Sequence, residues 1–111
     1  MLGKEVFIYC ENLEEIEMSE GIEKLGERAF YNCENLEKVT LPSSLKTIDE
    51  GAFFKCEKIE EIVIPEGVKK IDIEAFCVCK NLKKVTLPSS LKAIDEGAFG
   101  DCENLEEIII P

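Results

Sequence analysis

Apolar residues recur along this chain with a period of 23 residues. Each unit has eight apolar positions separated by charged or turn-forming residues. A typical unit contains Cys33, Leu36, Val39, Leu41, Leu45, Ile48, Ala52 and Phe53. A fixed period of this length is typical of solenoids, in which each unit buries its apolar face only by stacking on its neighbours. The sequence therefore predicts a stack of coils rather than a globule with one central core.

Each coil is predicted to contain a short strand, a turn, a second extended piece and one turn of helix. Residues 39–41 alternate between inward and outward positions, which is typical of a strand. Pro42 has no amide donor and so belongs at the strand end. An extended piece follows at 45–48, and Asp49 is a good N-cap for a helical turn that ends near Cys56. Stacking places the strands roughly 4.8 Å apart in a parallel sheet.

A longer period of 46 residues is superimposed on the first. Residues 33–57 and 79–103 are identical at 20 of 25 positions, and both contain Pro-Ser-Ser after the strand. The other coils carry Ser-Glu-Gly at 19–21 and Pro-Glu-Gly at 65–67 instead. Two alternating coil types indicate duplication of a pair of coils.

The charge of the chain is strongly acidic and evenly distributed. There are 24 acidic and 13 basic residues, for a formal net charge of −11. Such a surface repels a phosphate backbone, so we expect no nucleic-acid binding. The first residues contain no apolar run long enough for a signal peptide or a membrane span. We therefore expect no membrane insertion and no export signal within this sequence.

Candidate chemistry is sparse. The chain has no histidine, so serines such as Ser43 and Ser89 have no imidazole base to activate them, and both are expected in turns. Acidic residues recur at solvent positions, and no glycine-rich phosphate loop is present. We predict no enzyme, no cofactor and no metal site. The column of Cys10, Cys33, Cys56, Cys79 and Cys102 is interpreted as buried free thiols, while Cys77 with Cys79 leaves a redox or metal pair open.

The repeat resembles that of BspA-like leucine-rich-repeat proteins. The shared pattern is Asp-Glu-Gly-Ala-Phe-x-x-Cys-x-Asn-Leu-x-x-Val-x-Leu-Pro-x-x-Leu-x-x-Ile, carried at 49–71 and 95–111 and more loosely elsewhere. Gly26, Ser19 and Lys58 depart from it, replacing Asp, Pro and Asn. The resemblance implies an α/β leucine-rich-repeat solenoid of 23-residue coils, each with a short strand in a parallel sheet and a helical turn. One domain of about five repeats would then span 1–111.

The same resemblance implies a non-enzymatic module for protein interaction and cell adhesion, located at the cell surface or secreted. The partner would be a protein that the sequence does not identify. The alternative is a structural spacer, or a self-assembling solenoid, with no specific ligand.

Outward positions of the strands form two columns that we predict to be the protein-binding face. In the first column acid and base alternate: Glu15, Lys38, Glu61, Lys84 and Glu107. The second column is Glu17, Thr40, Val63, Thr86 and Ile109. The charged column has two interpretations that are compatible with each other. It is a ladder of cross-strand ion pairs that fixes strand register, or a patterned surface presented to a partner.

One coil is unusually basic, with Lys80, Lys83 and Lys84 at positions that hold glutamate in most other coils. These lysines relieve like-charge stacking along the solenoid, or else they bind an anionic ligand.

The ends of the sequence are predicted to lack capping repeats. Leu2 and Val6 match Ile48 and Ala52, so the chain begins within a coil, and it stops at Pro111 directly after a strand. Solenoids normally carry polar caps. We therefore expect a segment of a longer array, end-to-end self-association, or an incomplete reading frame.

Overall fold

The fold is a stack of short parallel strands, seen in a computed structural model that describes residues 7–95 and 97–111. Long and short strands alternate along the chain, and each coil contributes one of each until the last. The strands of the described residues are β1 (Glu15–Glu17), β2 (Lys24–Leu25), β3 (Lys38–Thr40), β4 (Thr47–Ile48), β5 (Glu61–Val63), β6 (Lys70–Ile71), β7 (Lys84–Thr86), β8 (Ala93–Ile94) and β9 (Glu107–Ile109).

The strands confirm the predicted coils and their parallel stacking. The two-residue strands form one sheet in the order β2-β4-β6-β8. The three-residue strands form two sheets on a second side, β1-β3 and β5-β7-β9. Partners in every pair are one repeat apart, as in Ile48 with Ile71 and Val85 with Ile108. Each three-residue strand ends two residues before the position that usually holds proline, as at Pro42.

The third side of the coil is not helical, so the predicted helical turn is wrong. Among the described residues there are only turns at these positions. The amides of Ala52 and Phe54 donate to carbonyls three residues back, whereas those of Gly51 and Phe53 donate to the next coil. Gly51 and Lys55 also have left-handed φ angles of 64° and 61°. An α-helix cannot form here, because alternate amides donate to carbonyls of the next coil and residues four positions apart have left-handed φ angles.

The aspartates predicted as helix caps have other partners. Asp49 pairs with Lys24 of the preceding coil at 3.3 Å, and Asp95 pairs with Lys70 at 3.7 Å. Asp72 accepts a hydrogen bond from the N–H of Ile73 at 2.8 Å, which orders the start of the turn. These short polar side chains therefore fasten neighbouring coils or the local turn, the role that such residues commonly take outside helices.

The core between the sides consists of identical side chains stacked along the solenoid axis. Phe30, Phe53 and Phe76 are fully buried, and ring centroids of successive phenylalanines lie 5.1 to 5.2 Å apart with nearly parallel planes. Within the described residues no polar or charged residue is buried. Each coil therefore buries its apolar face almost entirely against the coils before and after it, as the repeat pattern predicts.

The 46-residue period has a structural basis in a set of four hydrogen bonds, which we call the clasp, between a Glu-Gly turn and the Ser-Ser turn of the following coil. Ser43 donates its hydroxyl and its N–H to the Glu20 carboxylate, at 2.6 and 2.9 Å. Ser44 accepts from the N–H of Gly21 at 2.9 Å and donates to the carbonyl of Ile22 at 2.7 Å. The same four bonds recur 46 residues later, joining residues 66–68 to 89–90. Each clasp thus joins a Glu-Gly turn to the Ser-Ser turn of the following coil.

The last strand, β9, pairs with β7, and its isoleucines and Ile110 are exposed. The predicted start within a coil falls on residues 1–6, which lie outside the described residues.

Candidate functional site

The ten residues of the predicted binding face lie on one side of the molecule. The long strands align both columns in register: Glu15 with Lys38, Glu61 with Lys84 and Glu107, and Val63 with Thr86 and Ile109. The residues between them, such as Ile62 and Val85, point into the core. We call the surface formed by the two columns the strand face. Val63 is an apolar residue near its centre and is 60 % exposed.

The charged column of the strand face does not form a ladder of close ion pairs. Ion pairs within 4 Å join other positions in the described part of the chain. Lys83 pairs with Glu60 at 3.9 Å, and Lys80 pairs with Glu57 at 3.5 Å. Lys84 and its column neighbours form none of the ion pairs found within 4 Å among the described residues. The other lysines of the basic coil are compensated by the acidic coil beside them.

A break in the hydrogen bonding divides the strand face between β3 and β5. At the other joints, the residue that follows a long strand donates its N–H to the next coil. These bonds are Met18 to Thr40, Ile64 to Thr86 and Leu87 to Ile109, at 2.9 to 3.1 Å. The corresponding bond from Leu41 to Val63 is absent from the described residues. So is a bond from Glu60 to Glu37, although Glu37 itself donates to Glu14 at 2.7 Å. We call this the open joint.

The remaining two sides of the solenoid are continuous across the open joint. Lys69 donates to Lys46 at 2.9 Å on the side of the short strands. Phe53 donates to Ala75 at 2.7 Å on the turn side. The open joint is therefore a local gap on one side of an otherwise hydrogen-bonded stack.

Lys58 marks the open joint, because it occupies a column that otherwise holds asparagine. Asn35 and Asn104 donate their side-chain amides to carbonyls of the preceding coil, at 2.6 and 2.7 Å. Asn81 makes no such bond in the described residues, yet β5 and β7 pair. Glu60 and Glu37, which face each other across the open joint, are both acidic. Glu37 and Glu14 are also both acidic and their backbones are hydrogen-bonded, so like charge does not explain the open joint. Two features distinguish this joint among the described residues. One is the lysine side chain, and the other is the lack of a clasp between residues 43–44 and 66–68, although clasps join 20–22 to 43–44 and 66–68 to 89–90.

A shallow groove of about 340 Å³ lies on the strand face beside the open joint. Its wall combines four lysines and three glutamates: Glu37, Lys38, Lys58, Glu60, Glu61, Lys83 and Lys84. Three of the predicted face residues, Lys38, Glu61 and Lys84, belong to it. The groove therefore carries mixed charge within a protein whose surface is otherwise mainly acidic.

The cysteines form a ladder of free thiols. Cys56 donates its thiol to the carbonyl of Phe30 at 3.1 Å, and Cys79 donates to Phe53 at 3.2 Å. Burial raises the pKa of the Cys56 thiol well above its ordinary value. Cys77 lies off the ladder, and burial raises its pKa as well. No set of three or more metal-ligating side chains is found in residues 7–95 and 97–111, nor does that part of the chain contain an apolar helix of membrane-spanning length.

Two features of the structure, the clasp and the open joint, were not predicted from the sequence. The clasp was visible only as the alternation of Glu-Gly with Ser-Ser, whose partners are known once the coils are stacked. The open joint was signalled only by Lys58, which the sequence marked as a departure without a consequence.

Comparisons with known proteins agree with this architecture. The family model described as "BspA type Leucine rich repeat region" matches residues 1–111 in six copies. A leucine rich cell surface protein from Faecalibacterium prausnitzii A2-165 is similar in structure, with a TM-score of 0.95 and 31 % identity. That match covers 97 % of this chain and 28 % of that protein. A search of curated proteins finds no relative.

Two other bacterial structures are equally informative. The T. pallidum leucine rich repeat protein has a TM-score of 0.94 and 33 % identity, covering 96 % of this chain and 50 % of that one. A leucine-rich repeat protein from Bacteroides ovatus ATCC 8483 has a TM-score of 0.91 and 35 % identity, covering 98 % and 28 %. The chain thus spans half or less of the length of these three proteins.

Proposed function

The chain belongs to the BspA-type leucine-rich-repeat family, and we propose that it is a non-enzymatic module that binds a protein partner through its strand face. The observation that supports this most directly is the exposed double column. The charged side chains of the first column form no ion pairs with one another among the described residues, and Val63 adds exposed apolar area beside them. Solenoids commonly use such extended faces for binding.

The cell surface is the proposed location, and adhesion or capture of a host protein is the proposed role. The support is the similarity to the F. prausnitzii protein, which is described as a leucine rich cell surface protein. Because the chain spans only part of that protein, this role is proposed for a module and not for a whole adhesin.

The test uses a matched pair of charge reversals. Lys84→Glu changes the strand face, and Lys92→Glu makes the same change at an exposed position just before β8. Each purified protein is titrated against a panel of secreted and cell-surface proteins by biolayer interferometry. We expect saturable binding that Lys84→Glu weakens at least about tenfold and Lys92→Glu leaves unchanged, as expected for a charge at a protein interface.

Circular dichroism and urea unfolding of both variants verify that the fold is intact. Absence of any saturable binding would support the spacer alternative. Equal losses in the two variants would show that overall charge, and not the strand face, governs the interaction.

A further inference from the structure

We propose that the partner element on the strand face is an amphipathic α-helix lying along the solenoid axis, across the strands, with charges that alternate once per turn. This inference rests on the proposed function and specifies the partner of the same surface. It follows from the spacing of the columns and from the order of their charges.

The spacing of successive coils favours a helix over an extended peptide. Phenylalanine rings of neighbouring coils are 5.1 to 5.2 Å apart, and hydrogen-bonded strands lie roughly 4.8 Å apart. One helical turn rises about 5.4 Å, so a helix drifts only about 0.2 to 0.6 Å per coil. Same-face residues of a strand are about 6.6 to 6.8 Å apart, a drift of roughly 1.5 to 2 Å per coil. An extended peptide loses register after two coils, whereas a helix keeps it across the hydrogen-bonded strands β5, β7 and β9.

The charges then define the helix. The column Glu15, Lys38, Glu61, Lys84 and Glu107 is matched by Lys, Glu, Lys, Glu and Lys at successive turns. Such a stripe recurs every three or four residues, and its opposite charges at that spacing also stabilise the helix itself. Complementary order of this kind contributes to specificity and to the association rate more than to affinity.

The second column supplies the apolar contact. Val63, Thr86 and Ile109 are aligned on β5, β7 and β9, and Val63 and Ile109 are 60 % and 37 % exposed. Thr40 occupies the same position on β3. An aliphatic stripe next to the charged stripe of the helix packs on this row. Glu17 occupies the other end of the column. The charge order of the first column is the same in both directions and does not orient the helix. The second column changes from acidic at Glu17 to apolar at Ile109, and this difference fixes the direction of the helix.

The experiment uses two designed helical peptides of equal composition. The first carries the charge order Lys-Glu-Lys-Glu-Lys on one stripe with leucines on the next, and the second differs by exchanging the two charges that face Glu61 and Lys84. Binding to the 111-residue protein is measured by fluorescence anisotropy at low and high salt. We expect the first peptide to bind at least about tenfold more tightly, with a difference that shrinks as salt screens the charges.

A reciprocal variant tests the assignment of the site. Glu61→Lys combined with Lys84→Glu keeps opposite charges across β5 and β7 and leaves the net charge unchanged. It should therefore fold normally and reverse the preference between the peptides. Equal binding of both peptides, no binding of either, or no reversal in the folded variant would overturn the helix proposal. If proteins still bind the strand face in the charge-reversal test, the proposed function survives that failure.

Discussion

Replacing Lys58 with asparagine should close the open joint and stabilise the solenoid. The variant gains a side-chain donor for the carbonyl of Glu34, the position equivalent to those bound by Asn35 and Asn104. It should also restore the bonds from Leu41 to Val63 and from Glu60 to Glu37. Three exposed hydrogen bonds at about 0.5 kcal/mol each, the lower end of the usual net contribution, give about 1.5 kcal/mol.

The assay combines urea unfolding with amide hydrogen exchange followed by NMR. In the native sequence, the Glu60 amide should exchange faster than those of Glu37 and Lys83, which donate at 2.7 Å to the coils before them. In Lys58→Asn it should become as protected as they are, because protection reports the opening of the bond concerned. Asn35→Lys is the converse control and should expose the Glu37 amide while lowering the unfolding free energy.

Lys58→Ala separates two causes of the gap. If the lysine side chain keeps the strands apart, alanine also restores protection, although without the bond to Glu34. The reasoning is refuted if the Glu60 amide of the native sequence is already as protected as that of Lys83. It is equally refuted if neither substitution changes its exchange.

Four further predictions concern stability and reactivity. Val78 is a β-branched residue at φ 59°, so Val78→Asn should raise the unfolding free energy by about 1 kcal/mol, whereas Asn32→Val at the equivalent position should lower it. Phe53→Ala should lower the free energy of unfolding in urea by about 3–5 kcal/mol, because the ring is fully buried and stacked on both sides. Phe99→Ala should lower it less, because Phe99 lies at the partly buried end of the row. Hydrogen bonds from Ser89 lower the pKa of Glu66, so the ionised carboxylate stabilises the fold at pH values above its ordinary pKa of 4.5. This contribution is lost as the pH falls through and below that value. The difference in urea midpoint between the native protein and Glu66→Gln should therefore shrink in acid. Iodoacetamide should label the half-buried Cys102, whose pKa is lowered by the neighbouring Cys79 thiol, before the buried Cys56. Equal rates under native conditions would show that the ladder opens readily.

The repeat period was sufficient to predict most of the fold. Residues one period apart become neighbours in a parallel stack, so the pairing of Glu61 with Lys84 followed from counting alone. The same arithmetic placed all ten face residues on one surface. Register is well determined here because a slip would move apolar residues such as Ile62 out of the core.

The errors arose where one coil alters the backbone of another. Asp49 and Ala52 carry local signals for a helical turn, yet local signals do not reveal that the Gly51 and Phe53 amides donate to the next coil. The open joint depends likewise on backbone bonds between coils, and a single lysine in the sequence does not specify which bonds are lost. Proximity in the column also proved insufficient for close ion pairing between Glu61 and Lys84.

The clasp restricts how an array of these coils can grow or shrink. Because Glu20 and Gly21 need Ser43 and Ser44 of the following coil, coils are interchangeable only in twos. A single coil inserted within a clasp would separate Glu20 from Ser43, and a single added Glu-Gly coil would leave its carboxylate without a hydroxyl partner. Length changes that add complete clasps are therefore even-numbered. Engineers who extend this solenoid, and duplication events that copy part of it, meet the same parity rule.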